Sequence, residues 1–125
     1  MRTWCLGTGY YMTFCKDIRG VLSVGWHPTL ISVYEWLLET YGDDVIITCA
    51  YEKRDYSSTH SVNPLRAIDI RSWVFADPKA VEESINQHWK YDPDRMDMNV
   101  ALYHDVGRGK HIHIQVHDNT TEVIV

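Results

Sequence analysis

The run His111-Ile112-His113-Ile114-Gln115-Val116-His117 decides how this chain folds. Strict alternation is the period of a β-strand, so His111, His113, Gln115 and His117 fall on one face while Ile112, Ile114 and Val116 fall on the other. The aliphatic face reads as a core stripe. The opposite face carries imidazoles on a rigid element, which is the layout of a metal or catalytic surface. The plainer alternative is a solvated polar face on which the histidines are incidental.

Upstream lies His60-Ser61-Val62-Asn63-Pro64-Leu65-Arg66-Ala67-Ile68-Asp69-Ile70-Arg71. In a strand from Ala67 to Arg71, Asp69 shares a face with Ala67 and Arg71, and Ile68 and Ile70 point the other way. A carboxylate flanked by two isoleucines is costly to bury unless it is paired or bound to a metal. His60 on a loop, Asp69 in a strand and a histidine of the His-x-His strand make up the imidazole and carboxylate set that zinc takes in tetrahedral sites, where catalytic centres keep one position open. The competing reading of Asp69 is an exposed strand face, or an ion pair with Arg66 or Arg71.

Ser57-Ser58-Thr59-His60, then Arg66-Ala67-Ile68-Asp69-Ile70, then His111-Ile112-His113-Ile114 together resemble the zinc D-alanyl-D-alanine carboxypeptidases, the VanY-like and endolysin peptidases of the Hedgehog/DD-peptidase fold. The stretch Ile47-Thr48-Cys49-Ala50-Tyr51-Glu52-Lys53-Arg54 is similar to the family's strand that precedes the first ligand and ends in a substrate-contacting arginine. The resemblance spans residues 28–118. It implies zinc held by His60, Asp69 and His113, and hydrolysis of a peptide bond in peptidoglycan stem peptides. It also implies a substrate carboxylate gripped by Arg54 or Arg66, and Ser58 orienting substrate or the ligand loop. Many members carry a catalytic glutamate three residues before the last histidine ligand, where this chain has Lys110. Related enzymes with a His-x-His pair make the first histidine face the reaction centre, which points to His111 as the acid/base residue; His104 and Asp105 are the alternatives.

Length and composition fit one enzyme-sized domain covering residues 1–125, and the resemblance implies an α+β fold with a small antiparallel sheet and flanking helices. A hydrophobic content of 45% in 125 residues builds a core without a disulfide framework. A formal charge of −5 gives no broad basic footprint for nucleic acid. Cys5, Cys15 and Cys49 form no C-x-x-C pair, which favours synthesis in a reducing compartment, with a Cys5–Cys15 bridge left open. No apolar stretch is long enough to span a membrane and no signal peptide is evident, so the expectation is a cytoplasmically made, monomeric protein. Action on cell wall then needs another exit, such as a phage holin, which suits a phage or prophage product.

His27-Pro28-Thr29 opens a helix that runs to about Tyr41 and stops at Gly42, with Leu30, Val33, Trp36 or Leu37 on one face. The near-continuous apolar run Val45 to Ala50 reads as a strand in the centre of the sheet. A polar loop from Tyr51 to Leu65 holds His60. Asp77-Pro78 starts a second helix that reaches about Tyr91, and Val81 and Ile85 line its apolar stripe. Met98 to Val106 reads as a strand that Gly107-Arg108-Gly109 turns back into the histidine strand. That hairpin, laid beside the Asp69 strand, puts the three proposed ligands on one sheet face. His117 lies about 13 Å beyond His113 along the strand, too far for the same ion. His27 and His88 read as structural, and residues 1–26, with Trp4, Tyr10, Tyr11, Phe14 and Trp26, read as an irregular aromatic cover.

Two other functions use the same residues. One is a non-haem iron oxygenase, since two histidines and a carboxylate also form a facial triad for iron. The other is an inactive relative that binds cell wall or a phage particle.

Overall fold

The computed structural model describes residues 15–105, 107 and 109–123. In chain order the elements are α1 (Ile18–Ser23), α2 (Pro28–Tyr41), β1 (Ile47–Cys49), β2 (Ala67–Arg71), α3 (Pro78–His88), β3 (Trp89–Lys90), β4 (Ala101–Asp105), β5 (Lys110–Gln115) and β6 (Thr121–Glu122). The main sheet has the order β1-β2-β5-β4 with every pair antiparallel, and β3 pairs with β6 in a separate ribbon. This is a small α+β architecture with helices flanking an antiparallel sheet.

The alternation read in the sequence governs both central strands. Ile68, Ile70, Ile112 and Ile114 are fully buried, and the same cluster takes in Leu30, Val33 and Leu37 of α2 with Val81 and Ile85 of α3. The helix boundaries follow their local signals. The His27 Nδ1 accepts the Thr29 N–H at 3.1 Å, Pro28 stands at the first turn, and Gly42 ends α2 at φ 61°. A left-handed φ of this kind favours glycine, which has no Cβ to clash. Asp77 caps α3 through the Ala80 N–H.

Four expectations need correction. The apolar strand after α2 sits at the sheet edge rather than its centre. It is buried because its outer side is covered: Cys15 bridges to Ile47, and the Lys16 N–H donates to the Ile47 carbonyl at 2.8 Å. The second helix stops at His88 instead of continuing to Tyr91, since Trp89 and Lys90 turn into the ribbon with Thr121 and Glu122. The strand before the hairpin starts at Ala101, not Met98, while Val106 lies outside the described residues. The segment before residue 26 contains a helix, α1, and Trp4, Tyr10, Tyr11 and Phe14 lie outside the described residues, as does Cys5.

The other sheet edge is guarded by side chains of α3. Asn86 bonds both the N–H and the carbonyl of Ala101, and Glu82 accepts the Tyr103 N–H at 2.7 Å. Edge groups satisfied in this way are closed to pairing with another strand. No helix among the described residues is long and apolar enough to cross a membrane.

Candidate metal centre

Antiparallel register brings the chemistry together. Asp69 of β2 lies opposite His113 of β5 on one side and Cys49 of β1 on the other. The loop that follows β1 returns to deliver His60 above this point. Its path is fixed by Ser58, whose Oγ accepts both the His60 N–H at 3.2 Å and the Arg54 guanidinium at 2.9 Å. Helix α1 supports the same place: Asp17 accepts the Ala50 N–H at 2.9 Å, and Gly20 approaches so closely that a Cβ there would lie 2.8 Å from the Tyr51 carbonyl.

Three donor atoms converge. His60 Nε2 is 3.1 Å from Asp69 Oδ1, His113 Nδ1 is 2.9 Å from the same oxygen, and the two imidazole nitrogens are 3.2 Å apart. Their partners on the far side fix the tautomers. His60 Nδ1 lies 2.8 Å from the Ala50 carbonyl, which only accepts, so Nδ1 carries a proton and Nε2 needs none. His113 Nε2 lies 3.1 Å from Gln115 Oε1, and Gln115 donates its amide to the Asn99 carbonyl, so His113 presents a bare Nδ1. Once the proton held between them is removed, two inward-facing nitrogens and a carboxylate oxygen pointed at one another form a set of lone pairs that a cation satisfies. Donors about 2.05 Å from one tetrahedral ion are about 3.3 Å apart, close to the spacings here.

Cys49 flanks the other edge of the His60 ring and makes a cluster of its own with His60 and Asp69. Its Sγ is 3.8 Å from His60 Nδ1, and Cys49, His60 and Asp69 each offer a ligand atom within 4.8 Å of the others. This cluster has the capacity to bind a metal ion.

The electrostatics match. Burial disfavours a charged His60, but the hydrogen bonds and charge of Asp69, with help from Cys49, outweigh it and push the pKa up to about 10. Burial likewise works against an ionised Asp69, and the hydrogen bonds from His113 and His60 override it, holding the carboxyl well below the usual range. The chain without metal therefore keeps one proton where the ion would sit.

A cleft of about 260 Å³ opens over the triad, with His104 and His111 on its wall and Arg54 and Ser58 at its rim. His111 Nε2 is 3.6 Å from Asp69 Oδ2, and His104 stands opposite His111 in the β4–β5 register. Burial first, then the positive charge of His111 and His113, lowers the His104 pKa. The remaining sequence candidates fall elsewhere. Arg66 donates to the Val116 carbonyl at 2.9 Å and to the Tyr91 hydroxyl at 2.7 Å, which commits its guanidinium outside the cleft. Asp105 accepts the N–H groups of Gly107 and Gly109 and so holds the hairpin turn. His27 caps α2, and His88 stacks on Trp36 and pairs with Glu122.

Sequence reasoning passed over Cys49 and Gln115 and ranked His104 low. The signals existed: Gln115 is two residues from His113 on the same face, and pairing across the β4–β5 hairpin sets His104 against His111. Cys49 had no such mark, because its approach to Asp69 depends on strand pairing across the long loop. No protein-family model matches this chain, and no curated protein or solved structure matches it either.

Proposed function

We propose that this protein is a zinc-dependent peptidase whose core, residues 28–118, holds the ion through His60, Asp69 and His113 and cleaves peptide bonds of peptidoglycan stem peptides. The observation that carries the metal half is the meeting of two inward-facing imidazole nitrogens and a carboxylate oxygen at mutual distances of 2.9 to 3.2 Å. Zinc is preferred over iron because a thiol stands beside the site, and soft sulfur ligands suit zinc. The substrate half rests on the resemblance of residues 57–70 and 111–114 to the zinc carboxypeptidases. When bound, zinc supplies Lewis-acid polarisation of a carbonyl and brings the pKa of water to about 7.

The chain's own groups do the rest. Arg54 lines the cleft; its Nε pairs with Glu52 at 3.2 Å and its Nη1 donates to Ser58 at 2.9 Å, so the rest of its guanidinium is what it offers a substrate carboxylate. Ser58 holds Arg54 and the His60 backbone together, so it positions both. His111 is the acid/base residue: its Nδ1 faces the Gly109 carbonyl at 3.3 Å, which leaves Nε2 on the cleft wall to take up and return a proton. A second reading is favoured by the cleft's lining, in which Asp69 is the one carboxylate among the described residues. On that reading the protein binds cell-wall peptide and does not cut it.

Elemental analysis of the purified chain beside His60→Ala, Asp69→Ala and His113→Ala tests the centre. About one zinc per chain, absent from all three variants, is expected; no metal after reconstitution would remove the peptidase reading. Release of amino groups from stem peptides, lost in His111→Ala with zinc retained, is expected of the enzyme, whereas binding without release selects the binding module.

A further inference from the structure

Asp69 has a neighbour that the zinc site does not use. In the sheet order β1-β2-β5 it stands between Cys49 of β1 and His113 of β5, in register with both. Register partners share a face of the sheet, so a thiol flanks the carboxylate on one side and an imidazole on the other. His60 comes down over Asp69 from the loop. Two donor sets therefore share His60 and Asp69. Nitrogen from His113 completes one; sulfur from Cys49 completes the other, in which each residue offers a donor atom within 4.8 Å of the others.

The two sets differ in size and softness. Atoms of the His113 set are 2.9 to 3.2 Å apart, the spacing of a small ion with nitrogen and oxygen donors. The sulfur set is wider, with Cys49 Sγ 3.8 Å from His60 Nδ1. Sulfur at about 2.3 Å and nitrogen at about 2.05 Å from one tetrahedral zinc lie about 3.6 Å apart. Longer bonds spread donors further, so the wider set suits a larger ion, and thiolate selects a soft one. Oxygen surrounds the sulfur as well: the Ala50 carbonyl is 3.7 Å from it and Glu52 Oε2 is 3.8 Å away. A neutral imidazole has one bare nitrogen, so His60 serves one set at a time. With its proton on Nδ1, toward the Ala50 carbonyl, Nε2 faces the His113 side. With the proton on Nε2, donated to Asp69 Oδ1 at 3.1 Å, Nδ1 faces Cys49, and the Ala50 carbonyl 2.8 Å from that nitrogen faces the same ion. Access differs too. Cys49 is half-buried and lines two cavities of about 660 and 530 Å³, whereas it is not part of the cleft wall over His60, Asp69 and His113.

We propose that Cys49, His60 and Asp69 form a second, thiolate metal site that takes a large soft divalent cation, and that its occupation excludes zinc from the His113 side, because the two sites share His60 and Asp69. The Cys49 thiol gives its proton to solvent when it ligates the ion. The exclusion rests on the peptidase reading, which supplies the zinc; the thiolate site does not. A soft cation entering beside Cys49 thereby switches the peptidase centre off without passing through its cleft.

Cadmium(II) titrated into the metal-free full chain, with a thiol-free reductant present, is the experiment, followed in the ultraviolet where sulfur-to-cadmium charge transfer absorbs. About one ion per chain with that band is expected of the wild type and of His113→Ala, whereas Cys49→Ser is expected to lose the band and to bind cadmium about tenfold or more weakly. Cadmium-loaded wild type is expected to take up no zinc until the cadmium is removed. Should the serine variant not fold, alkylation of the wild-type thiols mapped by mass spectrometry answers the same question, since bound cadmium is expected to shield Cys49. No band in the wild type, a band that survives in Cys49→Ser, Cys49 alkylated equally with and without cadmium, or cadmium and zinc held together in one chain each overturns the proposal. A chain that binds cadmium through Cys49 but takes up no zinc in its absence defeats the peptidase reading and leaves the thiolate site standing.

Discussion

The two faces of the β2–β5 pair are built from alternate residues of the same two strands yet obey opposite rules. On one face Ile68, Ile70, Ile112 and Ile114 are fully buried among α2 and α3. On the other, Asp69, His113 and Gln115 are also withdrawn from water, with Asp69 at 9% and Gln115 at 7% exposure. The first face releases water from hydrocarbon and stabilises the fold. The second buries charge and lone pairs, which burial alone penalises. Its arrangement makes physical sense as a receptor for a cation, and that contrast separates what holds this molecule together from what it is for.

The contrast breaks most sharply at the core. Ile114→Ala removes a fully buried side chain between β2, β4 and the helices, and is expected to cost about 2 to 5 kcal/mol in urea unfolding, with or without zinc. A loss under about 1 kcal/mol would mean that the aliphatic face is not what stabilises the sheet.

Acidity sharpens it next. In the chain without metal, the His60 pKa is raised from 6.5 to about 10, so the stability it contributes is full below pH 6.5 and is lost as pH rises through about 10. Asp69 is shifted down, so its contribution is present above 3.8, its ordinary value, and is lost as pH falls through the depressed one. An ion bound through His60 Nε2 would have to displace the proton that His60 holds. Its apparent affinity should therefore rise about tenfold per pH unit between about pH 7 and about pH 9, with close to one proton released per ion from this group. Competition titrations against a chelator in buffers of different ionisation enthalpy would measure both. An affinity flat across that range would mean that His60 is neutral without metal or is not a ligand.

Much of this was legible in local pattern. Alternation around Ile112 and Ile114 named both faces, and His27-Pro28 with Gly42 bounded α2, because period and caps act within a few residues. The edge position of β1 was not legible, since Val45 to Ala50 is as apolar as a central strand when Cys15 covers its outer side. Nor was the turn of Trp89 and Lys90 away from α3, whose partner Thr121–Glu122 lies thirty residues on. Arg66 looked like a substrate clamp by its place in the sequence, and only the packing of Tyr91 and Val116 around it shows a structural group. Cys49 entered the cluster through register alone.

Gln115 offers the finest division of the two faces, because it is buried as deeply as core residues but both ends of its amide are hydrogen-bonded. Its Oε1 accepts the His113 Nε2 proton, and its amide is tied to the Asn99 carbonyl, so the acceptor is held in place and the imidazole cannot turn without losing it. Partners of this kind orient the ligand and raise its basicity, and their loss costs about 10- to 100-fold in metal affinity. Gln115→Ala is expected to weaken zinc binding by that factor. Gln115→Glu keeps an acceptor for the same proton and is expected to recover most of the affinity, although it loses the amide donor to Asn99. A purely structural Gln115 would respond differently: the alanine variant would unfold more easily while holding zinc as tightly as the wild type, and the glutamate variant would restore nothing. Zinc affinity and urea midpoint measured on the same two variants distinguish a residue that orients the site from one that only fills the sheet.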